Sequence, residues 1–252
     1  DVKALCRWAG SLALPSTYTT WFNFLASHDG IGLNPLRGIL PESEILSLVE
    51  KLQQEGALVN WKNNPDGTRS PYEINVTYLD ALSLRDSSDD ERIARFILAH
   101  AVLLSFPGVP AVYIQSILGS RNDYEGVERL GYNRAINRKK YTAGQVDREL
   151  NNNKSIRYQI YSRLSELIAI RRGERAFHPD SQAIFDAIGE HILKIVRVAE
   201  NGERMTALFN FSNKMQTVYG QTLFGRELLS GQDISGTELT LNPWQVMWIK
   251  EN

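Results

Sequence analysis

Between Phe96 and Ile114, 19 consecutive residues carry no formal charge, and Pro107-Gly108-Val109-Pro110 interrupts the run. Such a run is long enough to cross a bilayer, but a proline ends the helix near Ser105 and opens an extended piece. His100 near the middle of the run argues the same way. The spacing therefore predicts a buried helix, Glu91–Ser105, capped by Ser88-Asp89-Asp90 and feeding a buried strand, Ala111–Ile114. A helix that passes directly into a wholly apolar strand has the rhythm of a parallel sheet with crossover helices.

The flanking sequence repeats that rhythm. Val2, Leu5, Ala9 and Leu12 recur at helical spacing behind Asp1, and Pro15-Ser16 separates them from Thr19–Leu25, a stretch of β-formers predicting a second buried strand. Ala26-Ser27-His28-Asp29-Gly30-Ile31-Gly32 follows, where two glycines permit a tight turn at the strand's C-terminal end, the place where α/β barrels put chemistry. Ile45, Leu48, Val49 and Leu52 mark another helix. Ala57–Lys62 and Ile74–Leu79 read as strands around the turn Asn64-Pro65-Asp66-Gly67. Gly119–Tyr141 breaks the pattern with charged, aromatic and glycine residues, as a functional loop would. A helix returns at Lys154–Gly173. Beyond Pro179 the period becomes two, predicting an antiparallel β module.

Composition narrows the function. With 28 basic and 29 acidic residues and a net charge of -1, the chain has no electrostatic footprint for a nucleic acid. Cys6 is the single cysteine, so neither an internal disulfide nor a cysteine-based metal cluster can form, which fits a reducing, cytoplasmic setting. His28, His100, His178 and His191 lie far apart, and no metal site is expected. The opening residues DVKALCRW show no targeting peptide.

His28-Asp29 alone is either a hydrogen-bonded loop feature or a pair able to hold vicinal hydroxyls of a sugar. Its context decides the direction taken. Trp21–Gly32 resembles the seventh-strand region of the family 13 glycoside hydrolases, the α-amylase superfamily, and Pro107–Tyr113 is similar to that family's entry into its eighth strand. Gly119-Ser120-Arg121-Asn122-Asp123, followed by Ala135-Ile136-Asn137-Arg138, resembles the sucrose phosphorylase branch, with its relatives acting on sucrose 6'-phosphate and glucosylglycerate.

This resemblance implies an α/β plus all-β chain: residues 1–175 would form the C-terminal part of a (β/α)8 barrel, with a helix-hairpin excursion at 33–82, and residues 176–252 an antiparallel β domain. It implies that Asp29 is the transition-state-stabilising carboxylate, that His28 holds ring hydroxyls, and that Arg138 and Asp123 belong to the glucose subsite. A loop-anchoring salt bridge is the alternative for Arg138. Arg37, beside the site, could meet phosphate or an acidic acceptor with its planar fork; its alternative is bonding to carbonyls of its own loop.

Retaining glucosyl transfer also needs a nucleophilic carboxylate and a general acid about 5 Å apart. The family places both upstream of Trp21, where nothing similar appears. Asp80, Asp123 and Glu125 are the carboxylates that could substitute. The expected function is thus a segment of an α-glucosyl-transferring phosphorylase acting on an α-glucoside and inorganic phosphate, without cofactor or membrane, and inactive without the missing barrel half. The rivals are a hydrolase or transglucosidase of the same superfamily, or a non-catalytic carbohydrate-binding protein. Of Trp8, Trp21, Trp61, Trp244 and Trp248, most are expected in the core and Trp61 is a possible sugar contact.

Overall fold

The computed structural model describes residues 1–220 and 223–252. In chain order its elements are α1 (Val2–Gly10), β1 (Phe22–Phe24), β2 (Ile31–Gly32), α2 (Glu42–Gln54), β3 (Leu58–Asn63), β4 (Arg69–Asn75) and α3 (Tyr78–Ala81). Then come α4 (Asp89–Ser105), β5 (Val109–Ala111), α5 (Ile114–Ile117), α6 (Tyr124–Leu130), α7 (Ala143–Leu150) and α8 (Ile156–Gly173). The chain ends with β6 (Gln182–Ile188), β7 (Ile192–Val198), β8 (Arg204–Asn210), β9 (Gln216–Glu227), β10 (Asp233–Leu241) and β11 (Val246–Glu251). Contacts divide it into two compact units: Asp1–Asn23, Ile97–Ala111 and Arg163–Asn252 in one, Phe24–Phe96 and Val112–Ser162 in the other.

In the first unit, β6 to β11 form one antiparallel sheet in the order β10-β9-β11-β8-β7-β6. The expected alternation holds in β6 but not in β8, where Met205 through Asn210 are all buried. β8 is central, and both its faces are covered: Leu208 joins Ile192, Val218 and Ile249 in one cluster, while Phe177 packs on Trp248 with ring centroids 4.7 Å apart. Trp248 is thus core as expected. Trp8 and Trp61 are exposed, and Trp21 and Trp244 half-buried, which corrects the expectation for the tryptophans as a group.

The uncharged run folds as the end of α4, a turn, and β5. Asp1 caps α1 through a bond from the Ala4 N–H to its carboxylate, 2.9 Å, and Ser88 accepts likewise from the Glu91 N–H at 3.2 Å. The last carbonyls of α4 are met by two arginines. Arg197 donates to Ser105 O at 2.9 Å and His178 O at 2.7 Å, and Arg171 to Leu104 O at 2.9 Å and Gly108 O at 3.1 Å. Cations here offset the negative end of the helix dipole. Burial, with Arg171 nearby, pushes the Arg197 guanidinium down to about 10.

Gly108 turns the chain with φ 106°, and a Cβ there would lie 2.5 Å from Trp21 O. This close approach lets the Val109 N–H reach Trp21 O at 2.8 Å, pairing β5 with β1. Two expectations are corrected at this point. The β5 strand is Val109–Ala111, and Ile114–Ile117 is helical, because Tyr113 O accepts from the Ser116 and Ile117 N–H groups. The β1 strand is not buried: Phe22 and Phe24 are exposed, and among the described residues β1 pairs with β5 in a sheet of two strands.

In the second unit, α2 buries Ile45, Val49 and Leu52 against Leu33, Val59, Ile74 and Val76. The β2, β4 and β3 strands form the sheet under it, in that order. The turn Asn64–Gly67 closes as expected, with Asn64 N–H bonded to Thr68 O at 2.8 Å. So tight a turn makes pairing begin at Asn63↔Arg69, which puts the second strand at Arg69–Asn75 and not at 74–79. Pro71, which has no N–H, is accommodated at the bulge beside Trp61. Thr77 then caps the short α3. No helix among the described residues is long and apolar enough to cross a membrane.

Candidate functional site

The second unit gathers charge around one buried carboxylate. Glu73 lies on β4 opposite Gly32 of β2 and Asn60 of β3, and is only 3% exposed. Burying a carboxylate is costly unless donors surround it, and here they do. The Gly30 N–H donates to Oε1 at 2.5 Å and Asn60 Nδ2 to Oε2 at 3.2 Å. Arg134 adds a fork, Nε to Oε1 at 3.0 Å and Nη2 to Oε2 at 3.0 Å. The hydrogen bond and charge of Glu73 hold the Arg134 guanidinium above its ordinary pKa.

Arg134 sits in the 3-10 turn Asn133–Asn137, and its remaining arm reaches Asp29: Nη1 lies 2.8 Å from Oδ1. Arg138, just after the turn, places Nη2 3.2 Å from the same oxygen and donates from Nε to His28 O at 2.7 Å. His28 Nε2 is 3.7 Å from Asp29 Oδ1, and both side chains reach solvent. The main chain below is fastened as well. Asn137 Nδ2 donates to Ser27 O at 2.7 Å, and Tyr113 O–H to Asn137 O at 3.1 Å. Burial raises the Tyr113 hydroxyl pKa, which keeps it a donor. The outcome is a loop fastened at several points that presents a carboxylate and an imidazole outward. Vicinal hydroxyls are suitable ligands for such a pair.

Three of the residues expected from the sequence, His28, Asp29 and Arg138, therefore come together. Arg138 both anchors the loop and touches Asp29. Asp123 lies apart from this group in the contacts seen: its carboxylate caps α6 by accepting from the Gly126 N–H at 3.2 Å, with Lys139 4.0 Å away. Asp123→Ala is expected to cost about 1 kcal/mol of stability, the usual worth of a lost cap, and Asp123→Asn little, as read by thermal denaturation.

Arg37 is likewise occupied, by Glu42 at 3.3 Å, Asn34 Oδ1 at 2.6 Å and Pro71 O at 3.3 Å. In this structure Arg37 anchors its loop, and a phosphate there would have to displace a carboxylate. Asp80 is consumed by Arg92, Arg121 and the Asn122 N–H. Among the described residues, no three His, Cys, Asp or Glu side chains cluster as a metal site.

Sequence reasoning misses Arg134 and Glu73, and holds Tyr113 only as the end of the Pro107–Tyr113 string. Arg134 stands one residue before Ala135-Ile136-Asn137-Arg138, and Glu73 is an isolated acid just outside the predicted strand. Each was a signal of modest strength.

No family model matches the chain. It is 67% identical over 250 residues to a glucosylglycerate phosphorylase of Escherichia coli strain K12, a match covering 99% of this chain and 45% of that protein. A sucrose phosphorylase of Streptococcus mutans is 30% identical over 190 residues, 73% of this chain and 36% of that protein. The chain thus spans less than half the length of the curated relatives it matches. Among solved structures, a sucrose 6F-phosphate phosphorylase from Thermoanaerobacter thermosaccharolyticum aligns with TM-score 0.65 and 22% identity, over 87% of this chain and 41% of that one.

Proposed function

We propose that this chain, which belongs to the phosphorylase branch of the family 13 glycoside hydrolases as a C-terminal segment, supplies the glucosyl-holding part of a glucosylglycerate phosphorylase site. The observation that carries the reading is the convergence of Arg134 and Arg138 on Asp29 Oδ1. Contacts from Asp29 and His28 to ring hydroxyls would tighten as the sugar flattens toward an oxocarbenium ion, which lowers the barrier to transfer. The nucleophile and general acid would come from the rest of the barrel. An α-glucoside of glycerate would glucosylate that nucleophile, and inorganic phosphate would then release α-glucose 1-phosphate. Arg138 would orient Asp29, while Asp123 and Arg37 would support the surrounding loops. The single cysteine, left unpaired, accords with a cytoplasmic setting.

The test compares the purified chain with the assembled enzyme, meaning the chain together with the remaining barrel strands. The chain alone is expected to yield no glucose 1-phosphate from glucosylglycerate and phosphate, and the assembled enzyme to yield it. Glucose released equally with and without phosphate would establish a hydrolase instead. Tight sugar binding by the chain alone, lost on Trp61→Ala, would establish a non-catalytic binding protein.

A further inference from the structure

We propose that Glu73 is the positioning residue of the Asp29 site: it fixes the Asp29 carboxylate through Arg134 and the main chain beside it through the Gly30 amide. The consequence for catalysis rests on the functional reading above; the linkage itself does not.

The argument begins with the fork. A guanidinium is planar, and its donors keep fixed mutual directions. Two of those donors, Nε and Nη2, are held by Glu73. With them pinned, the direction of Nη1 is no longer free, and Nη1 is the atom 2.8 Å from Asp29 Oδ1. Glu73 cannot drift either. It is buried in the sheet, and Asn60, which donates to Oε2, is oriented in turn by Asn133 Nδ2 on its own Oδ1 at 2.9 Å.

A second link reaches the same place by a different route. The Gly30 N–H, bonded to Glu73 Oε1, belongs to the peptide that follows Asp29. One buried carboxylate thus bears on both the carbonyl end of Asp29 and the position of its side chain. Arg138, the other guanidinium on Asp29, closes the same 3-10 turn as Arg134 and bonds the neutral carbonyl of His28, while Asn137 Nδ2 reaches Asp29 O at 3.3 Å. Those contacts fasten the loop to the turn; Glu73 is the charged anchor that ties Asp29 to the sheet. The charges also balance: Glu73 and Asp29 against Arg134 and Arg138. Loss of the Glu73 charge would leave two guanidinium groups on one exposed carboxylate, free to pull it out of position.

The competing account makes Glu73 a tie between β4 and the 3-10 turn, with no bearing on Asp29. The first of two measurements tests the Glu73–Arg134 bond that both accounts require, and the second separates them. In the chain itself, Arg134 Nε–H exchange is read by 15N NMR. Glu73→Gln is expected to accelerate it about tenfold, because a charge-assisted bond is lost, whereas Asp29→Asn is expected to leave it unchanged. An unaltered rate in Glu73→Gln overturns the proposal whatever the enzyme does.

In the assembled enzyme, Glu73→Gln and Arg134→Met are each expected to lower kcat about tenfold, with KM for the glucoside within about twofold, as misplacement of a transition-state contact requires. The double variant is expected to be no slower than the slower single one, the signature of residues acting in series. Effects that multiply, or a fall in melting temperature with kcat intact, overturn the proposal. If the assembled enzyme performs no phosphorolysis, the functional reading fails, and the exchange measurement still decides whether Glu73 pins Arg134.

Discussion

Asp29→Asn is expected to lower kcat of the assembled enzyme about a thousandfold while leaving KM for the glucoside within about threefold. The substitution keeps the shape and an acceptor at Oδ1, so Arg134 and Arg138 retain a partner. What disappears is a negative charge beside a centre that becomes positive only in the transition state. At a separation of about 4 Å and an effective dielectric near 20, that charge is worth about 4 kcal/mol, which corresponds to roughly three powers of ten in rate. Ground-state affinity changes less because the bound sugar carries no charge for the carboxylate to attract. Asp29 is also 41% exposed at its side chain, so thermal stability is expected to move by less than about 1 kcal/mol. Steady-state kinetics with a parallel melt decides the matter. A kcat within tenfold of the parent would remove Asp29 from the transition state.

What could be read from the sequence divides along a physical line. Helices announce themselves through local periodicity, and α2, α4 and α8 lie where the apolar spacing puts them. Strands depend on partners far along the chain. The position of β4 was displaced because its beginning is set by the turn at Asn64–Gly67 and not by its own apolar content, and its first residues, Arg69, Ser70 and Pro71, do not look like a strand. The exposure of β1 has a related reason: β-forming composition reports that a segment can pair, not that both its faces will be covered.

The site follows the same division. His28 and Asp29 are adjacent, and the string around them is continuous, so they could be singled out. Arg138 was legible from a second short string. Glu73 and Arg134 are 61 residues apart, and their importance lies wholly in meeting. Nothing in either local sequence says that a lone acid in a strand is buried and charge-paired. Asp123 and Arg37 have local partners a few residues away: the Gly126 N–H for one, Asn34 and Glu42 for the other. A charged side chain in a loop settles its nearest obligations first.

Gly30 and Gly32 show how much a sequence reading can leave undivided, and they give the second large effect. Both look like turn glycines, yet neither takes a positive φ. A Cβ on Gly32 would meet nothing nearer than Pro35 Cδ at 4.0 Å, whereas a Cβ on Gly30 would overlap Ile74 O and lie 2.8 Å from Glu73 Cγ. Gly32→Ala is therefore expected to leave stability within about 1 kcal/mol, gaining slightly from reduced chain entropy. Gly30→Ala is expected to cost about 3 kcal/mol, since backbone must move to admit the methyl group. That movement separates the Gly30 N–H from Glu73 and shifts the neighbouring Asp29. A displacement near 1 Å at such a contact costs about a hundredfold in kcat. Melting curves of the chain and kinetics of the assembled enzyme, taken on both variants, test the pair. Equal behaviour would mean that the loop gives way freely, and that the close packing of Gly30 on Glu73 does not hold Asp29 in place.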